Sequence, residues 1–121
     1  MAAPNLVNTT SIIGRTTAYA VTESLATTGV QNPANSNKLL RLSTIIAANK
    51  SAATVALSVT HFRASTHRYI VSTIPVPANT SIVILSKVDG GGLNLEEGDA
   101  IHALAGAAGA LDLLISYEEI A

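Results

Sequence analysis

The feature that most constrains the fold is a two-residue alternation of apolar and polar side chains in short segments. It is clearest at 53–62, ATVALSVTHF, where Val55, Leu57 and Val59 share one parity and hydroxyl side chains dominate the other. Side chains of a β-strand point alternately to its two faces, whereas a helix repeats about every 3.6 residues. This segment is therefore predicted to be a strand with one buried and one exposed face.

Further strands are predicted between clusters of Gly, Pro and Asn. In the segment 39–49, side chains at every second position are expected to form one buried face, namely those of Leu40, Leu42, Thr44 and Ile46. The alternation indicates the strands and the turn residues bound them. The other predicted strands in the first three-quarters of the chain cover 16–25, 68–77 and 80–88, the last of which is expected to be buried on both sides.

Turn-forming residues separate these strands. Residues 26–38 contain Gly, Pro and four Asn or Gln side chains, so they are predicted to be a turn. Gly14 is expected to end a short apolar stretch, which leaves residues 1–15 as an N-terminal arm or an edge strand. The glycine-rich run at 89–92 is expected to be a flexible turn.

Five residues are assigned structural roles in turns. Asn49 is expected to end a strand, and Pro75 and Pro77 are expected at a strand end or sheet edge, because proline offers no N–H to a ladder. Gly98 is expected to adopt a positive φ, and Asp99 to accept hydrogen bonds from backbone amides of the turn. A metal or catalytic site at this acidic run is the alternative, but the carboxylates lack the spacing of a calcium loop.

The C-terminal segment 94–121 is compatible with two local structures. As a helix it would have an apolar stripe over 101–111, but Gly106 and Gly109 lie inside that stripe and each costs about 1 kcal/mol relative to alanine. Beyond the stripe the apolar residues recur at every second position, which is typical of a strand. We therefore favour a hairpin with strands at 99–105 and 110–120 and a turn at 106–109.

Together these segments predict an all-β fold, an antiparallel β-sandwich or jelly-roll-like arrangement of seven to nine short strands. The 121 residues are enough for one domain. A chain of this mass can bury roughly two-thirds of its extended surface. We expect a single sandwich domain over 16–121.

The composition excludes several classes of function. The chain has no cysteine, so disulfides, thiolate zinc sites and thiol nucleophiles are ruled out. The net charge is −1 and the basic residues are scattered, so we expect no nucleic-acid partner. No long apolar run indicates a membrane span, and the N-terminus lacks the pattern of a signal peptide. Only 12% of the residues are charged, which indicates either a surface covered by neighbouring subunits or a polar surface rich in Ser and Thr.

The motifs of enzymes are not evident. His61 and His67 flank Arg63, but no third ligand is indicated, and a catalytic zinc needs three. There is no G-x-S-x-G motif and no phosphate-binding loop. A Ser–His–Asp triad is not excluded by the sequence, but no motif supports one. The carboxylates of Glu96 and Glu97 are adjacent, so on a strand they face opposite ways. We predict no catalytic residue, no cofactor and no metal ion.

Several motifs in sequence order carry a resemblance to a known family. They are Asn49 at a strand end, the alternating Val55–Val59, Pro75 and Pro77 around a turn, Leu95-Glu96-Glu97-Gly98-Asp99, and the closing pair Glu119-Ile120. In this pattern the chain resembles the small β-sandwich virion proteins of tailed bacteriophages, especially those of cyanophages. The resemblance covers roughly residues 16–121.

The resemblance implies a non-enzymatic structural protein of the virion. A solitary module of this kind is most similar to a capsid decoration, or cement, protein, which binds the outer shell and is often a homotrimer. The implied partners are other virion subunits, with the major capsid protein favoured. A tail, neck or baseplate component, or a fibre-associated module that binds the host surface, is the alternative.

Two regions are the candidates for contacts with partners. The N-terminal arm could reach a neighbouring subunit and add a strand to its sheet, and its candidate residues are Asn5, Leu6, Val7, Ile12 and Ile13. The segment 61–69, HFRASTHRY, is the candidate for recognition of a host surface, through His61, Arg63, Arg68 and Tyr69.

Overall fold

The computed structural model describes residues 11–86 and 93–121, and these residues form strands and turns with no helix. Nine strands are present within them, which confirms the predicted all-β class. They are β1 (Ile12–Ala20), β2 (Ala26–Gln31), β3 (Leu39–Asn49), β4 (Val55–Arg63), β5 (Thr66–Val76), β6 (Ser81–Ser86), β7 (Leu93–Leu95), β8 (Ala100–Ala105) and β9 (Leu111–Ile120).

The strands form two antiparallel sheets that pack face to face as a β-sandwich. Sheet A has the order β1-β9-β3-β6, and β7 pairs with β3 beside β6. Sheet B has the order β2-β8-β4-β5. Most strands that are consecutive in the chain, such as β1 and β2, lie in opposite sheets, so most of the pairing joins strands that are distant in sequence.

The core lies between the sheets and is made of aliphatic side chains. Leu42, Ile45 and Ile115 of sheet A and Leu57 and Ile101 of sheet B are fully buried. Burying one such side chain contributes roughly 2 kcal/mol to folding. The alternation of β4 is therefore confirmed at Leu57 and its neighbours of the same parity.

The predicted buried face of β3 is correct only in its first half. A register shift between Leu42 and Thr44 places an extra residue opposite β9. Such a bulge changes which parity faces the core. Ile45 and Ala47 are consequently buried, whereas Thr44 and Ile46 are half-buried on the outer face, so their assignment to the core was wrong.

Residues 26–31 form strand β2, so their assignment to a turn was wrong. Gly29 lies within the strand with a φ of 88°, and the register against β8 shifts there. The turn is confined to 32–38, where Asn35 and Asn37 have positive φ values. Strand β2 tolerates this irregularity because it is an edge strand with one neighbour.

Two further boundaries differ from the sequence prediction. Strand β1 runs through Gly14, so this glycine does not end the apolar stretch. In an edge strand paired on one side, glycine weakens the strand without stopping it. Strand β6 was expected to be buried on both sides, but it is also an edge strand and Val83 is 59% exposed.

The C-terminal segment forms the two predicted strands and the turn between them, not a helix, but the prediction that these strands form a hairpin was wrong. Strands β8 and β9 flank a turn at 106–110, where Gly109 has a φ of 74°. The two strands do not pair with each other, because β8 joins sheet B and β9 joins sheet A. The turn therefore carries the chain across the top of the sandwich. The predicted turn at 89–92 lies outside the described residues.

Candidate functional site

The acidic motif before β8 forms a turn whose carboxylate is fully engaged. Gly98 has a φ of 91°, and the buried Asp99 accepts a hydrogen bond from the Glu96 amide at 2.9 Å. Arg63 at the end of β4 donates to Asp99 from Nε at 2.8 Å and from Nη2 at 2.6 Å. His61 Nε2 lies 3.2 Å from the same carboxylate. Asp99 thus joins the β7–β8 turn to β4.

The electrostatics of Asp99 favour its charged form. Burial raises the pKa of the Asp99 carboxyl. The hydrogen bonds from Arg63 and the Glu96 amide, together with the charge of Arg63, lower that pKa by a larger amount, so it lies below its ordinary value of 3.8. The hydrogen bond to Asp99 raises the pKa of Arg63 in turn. A carboxylate with four donors and a depressed pKa is poorly suited to accept a proton from a substrate.

Neighbouring polar side chains brace the same end of the sandwich. Glu97 is 8% exposed and accepts a hydrogen bond from the Asn37 amide, while its second oxygen has no hydrogen-bond partner. Asn32 is buried and donates to the carbonyl oxygens of Lys38 and Leu95 at 2.8 and 3.0 Å. The sequence indicated turn chemistry here, but nothing in the local pattern indicated which side chains are buried.

The other residues assigned to turns are placed at strand ends. Asn49 is the last residue of β3, and its amide donates to the carbonyl oxygens of Ala53 and Val76 at 2.8 and 2.9 Å. Pro75 lies in the edge strand β5 opposite Ala56, and Pro77 follows the strand. Asn49 therefore holds the β3–β4 connection against the end of β5.

The segment 61–69 is a hairpin whose side chains are divided between two faces. Its turn residues Ala64 and Ser65 have φ values of 51° and 63°, as the tight turn between β4 and β5 requires. His61 and Arg63 lie on one face with Arg68 and line a cavity of about 320 Å³. Tyr69 lies on the opposite face and is 56% exposed.

Two histidines that the sequence did not connect meet on the outer face of sheet B. The rings of His67 and His102 are 5.0 Å apart, and that of Phe62 lies 4.5 Å from each. Thr60 Oγ1 is 3.0 Å from His67 Nδ1. Burial, and then the proximity of His67, lower the pKa of His102. Residues 11–86 and 93–121 contain no cluster of three or more metal-ligating side chains.

A broad exposed surface lies on the outer face of sheet A. Antiparallel pairing puts Leu114 directly opposite Ala18 on one side and Ile46 on the other, and Ile46 opposite Val83. Directly paired side chains in a sheet lie on one face about 5 Å apart. Leu114 and Val83 are 43% and 59% exposed. We call these four residues the apolar row; it crosses all four strands of the sheet path.

The rows on either side of the apolar row are small and mostly uncharged. One row contains Thr16, Ser116, Thr44 and Ser86, and the other contains Ala20, Asp112, Ala48 and Ser81. The Asp112 carboxylate is paired with Lys50 Nζ at 3.2 Å. The apolar row and its two flanking rows are together called the A face below. The A face therefore carries a single carboxylate, which is already neutralised.

The candidate residues of the N-terminal arm are only partly within the described chain. Asn5, Leu6 and Val7 lie outside the described residues. Ile12 and Ile13 begin β1 and are 60% and 46% exposed. They lie at one end of the sheet edge beside the A face, where a partner has access to them.

Comparison of the chain with protein-family models and with curated proteins gives no match. Across the part of the chain that the structure describes, no helix has the length and hydropathy needed to cross a membrane.

Proposed function

We propose that this protein is a non-enzymatic structural subunit that assembles with other proteins through the A face. The single observation that carries the proposal is the apolar row, which crosses all four strands with Leu114 and Val83 exposed and lies between rows of small, nearly uncharged residues. Contiguous apolar surface on a soluble protein marks interaction sites.

The size of the A face suits a protein interface. Four strands spaced about 4.8 Å apart and three rows spaced about 6.7 Å apart cover roughly 20 by 20 Å, or about 400 Å². A standard interface buries about 800 Å² on each partner. The A face thus accounts for about half of one side of such an interface, and because it carries no unpaired charge, removing water from it costs little free energy.

The sequence resemblance supports a virion as the site of assembly. We propose that the protein decorates the outer capsid shell as a homo-oligomer and stabilises it by binding the major capsid protein. A position in the tail, neck or baseplate is the alternative within the same class. Both uses need a rigid scaffold with an uncharged docking face, which a sandwich supplies.

Two features support a non-enzymatic role. The acidic motif is engaged in holding turns together, as the four donors to Asp99 indicate. The histidine pair lies with Phe62 in an aromatic cluster, and burial disfavours the charged form of His102. Neither the Asp99 carboxylate nor the histidine pair is placed to exchange a proton with a substrate.

The test compares two substitutions of exposed side chains on opposite faces. Leu114→Glu puts a charge on the A face, and Tyr69→Glu puts one on the outer face of sheet B. Both proteins are expected to fold, and binding to capsids that lack the protein is expected to fall at least tenfold for Leu114→Glu only. Quantitative mass spectrometry of virions is expected to find hundreds of copies. Absence from virions, or equal binding by both variants, contradicts the proposal.

A host-surface binding module is the second candidate, and one observation favours it. The outer face of sheet B gathers Phe62, His67 and His102 in contact, with Tyr69 exposed on the same face. Flat aromatic side chains stack on sugar rings and on other planar groups. A glycan array that shows binding lost in Tyr69→Ala, with Leu114→Glu unaffected, would support this function over the first.

A further inference from the structure

We infer that strand β1 is a strand-addition site for a second copy of this chain, which extends sheet A across a molecular two-fold axis. This inference rests on the proposed function, because it names a partner for the same sheet. It is carried by the backbone of β1, whose outer edge is long and regular and is paired with no other strand within residues 11–86 and 93–121.

The open edge can be read from the ladder between β1 and β9. Ser11 and Ala121 exchange both backbone hydrogen bonds, at 3.2 and 3.0 Å, and Val21 donates to Leu111 at 3.0 Å. In an antiparallel ladder such pairs alternate with pairs that point their N–H and C=O groups away. The odd-numbered residues of β1 therefore bond to β9. The even-numbered residues, Ile12, Gly14, Thr16, Ala18 and Ala20, direct their backbone groups outward and have no backbone partner among the described residues.

The other edges in the described chain carry features that discourage pairing. Strand β5 has two register shifts and contains Pro75, and β2 has a shift near Gly29. Strand β6 has six residues and a shift of its own, and β7 has three residues. Bulges, prolines and short length are the usual protections of sheet edges. Strand β1 has nine residues in unbroken register with β9 and no proline.

The side chains of β1 suit pairing with a second copy. With Thr16 on the two-fold axis, Ile12 of one copy lies opposite Ala20 of the other, and Gly14 opposite Ala18. Each of the five outward-facing pairs exchanges two hydrogen bonds, about ten in all. A Cβ atom at Gly14 would meet no atom within 4 Å, so the sheet face at this position of β1 is unobstructed.

Charge also permits this pairing. The one charged side chain of β1 is Arg15, whose Nε lies 2.6 Å from Glu119 Oε2. In the two-fold register Arg15 lies opposite Thr17, so like charges are not directly paired. The arrangement is isologous, which is the commonest symmetry of homodimers. It would join the two A faces into one surface of eight strands and double the area offered to a capsid or other partner.

The test uses two substitutions at the residue on the axis. Thr16→Pro removes an outward-facing N–H, which an edge strand tolerates. Thr16→Val keeps that N–H and loses the same hydroxyl contact to Ser116 Oγ, at 3.2 Å, so it is the matched control. Sedimentation from about 1 to about 100 µM is expected to give twice the chain mass of 12.4 kDa for the wild type and for Thr16→Val, and the monomer mass for Thr16→Pro.

Amide hydrogen exchange of the wild-type protein provides a second test, which does not depend on whether Thr16→Pro folds. In the wild type, the amides of the five even-numbered residues of β1 are expected to gain protection as concentration rises, while the odd-numbered amides are protected throughout. A wild type that stays monomeric, a Thr16→Pro variant that stays dimeric, or even-numbered amides that exchange quickly at high concentration would each overturn the inference. A trimer with unprotected even-numbered amides would overturn this inference but leave the proposed assembly function standing. A dimer paired through β1 that does not bind virions would support this inference and contradict the proposed function.

Discussion

Arg63 and Asp99 form a bidentate pair in which Nε donates to Oδ1 at 2.8 Å and Nη2 donates to Oδ2 at 2.6 Å. Arg63 is the last residue of β4 and Asp99 lies in the turn immediately before β8, so the pair links the β4–β5 hairpin to that turn. Asp99 is 1% exposed, while half of the Arg63 side chain remains in solvent. The geometry indicates that this pair stabilises the end of the sandwich at which the β4–β5 hairpin and the β7–β8 turn meet.

Removal of the buried partner is expected to destabilise the fold. Asp99→Ala leaves Arg63 Nε and the Glu96 amide without their acceptor, and we expect the free energy of unfolding to fall by about 2 to 4 kcal/mol. Glu96→Ala is the matched control, because Glu96 also pairs with Arg63 but is solvent-exposed, and its loss is expected to cost less than about 1 kcal/mol. Urea denaturation measures both, and equal losses would contradict the assignment.

The local part of this site was predictable and the long-range part was not. The sequence Gly98-Asp99 indicates a turn with positive φ and a carboxylate near backbone amides, because both properties depend on adjacent residues. The choice of Arg63 as partner depends on β4 and β8 being neighbours in sheet B. Alternation indicates which residues form strands, but it does not indicate their order in a sheet.

The β3 bulge shows a second limit of the sequence. Leu40 and Leu42 follow the predicted parity, and Ile45 and Ala47 follow the opposite one, because one extra residue lies between Leu42 and Thr44. The run of alternating residues continues through the bulge without a glycine or proline to mark it. The apolar row was missed for the same reason, since it requires Ile46 on the outer face.

The pH dependence of stability is expected to have two steps, both losses on acidification. The pKa of His102 is lowered in the folded protein, so the unfolded chain takes up this proton more readily. Stability is therefore full above about pH 6.5 and falls as the pH drops below that value. Asp99 also has a lowered pKa, so its contribution is present above about pH 4 and is lost as the pH falls further.

Thermal melts between pH 8 and pH 3 check these signs. The variant His102→Gln is expected to lose the step near pH 6 and keep the one below pH 4. Stability that rises between pH 7 and pH 5 in the wild type would contradict the assignment of His102.

Replacing Gly98 and Gly14 by alanine is expected to change the stability of the fold in opposite directions. Gly98→Ala forces a side chain into a backbone with a φ of 91°, and we expect a loss of about 1 kcal/mol although the space around it is open. Gly14→Ala lies in an extended strand with equally open space, so reduced entropy of the unfolded chain is expected to stabilise it by about 0.5 kcal/mol. Chemical denaturation of both variants measures the difference, and equal signs would refute the proposed backbone roles.

Adjacent leucines in β9 test the alternation on which the whole sandwich depends. Leu113 is fully buried between the sheets, whereas Leu114 is 43% exposed in the apolar row. Leu113→Ala is expected to cost about 3 kcal/mol, because it leaves a cavity in the core. Leu114→Ala is expected to change the stability of the monomer by less than about 0.5 kcal/mol. Urea denaturation at low protein concentration separates the two, since any interface formed by Leu114 is then absent. Comparable losses at both positions would mean that β9 does not separate a core from an outer face, and the A face would have no structural basis.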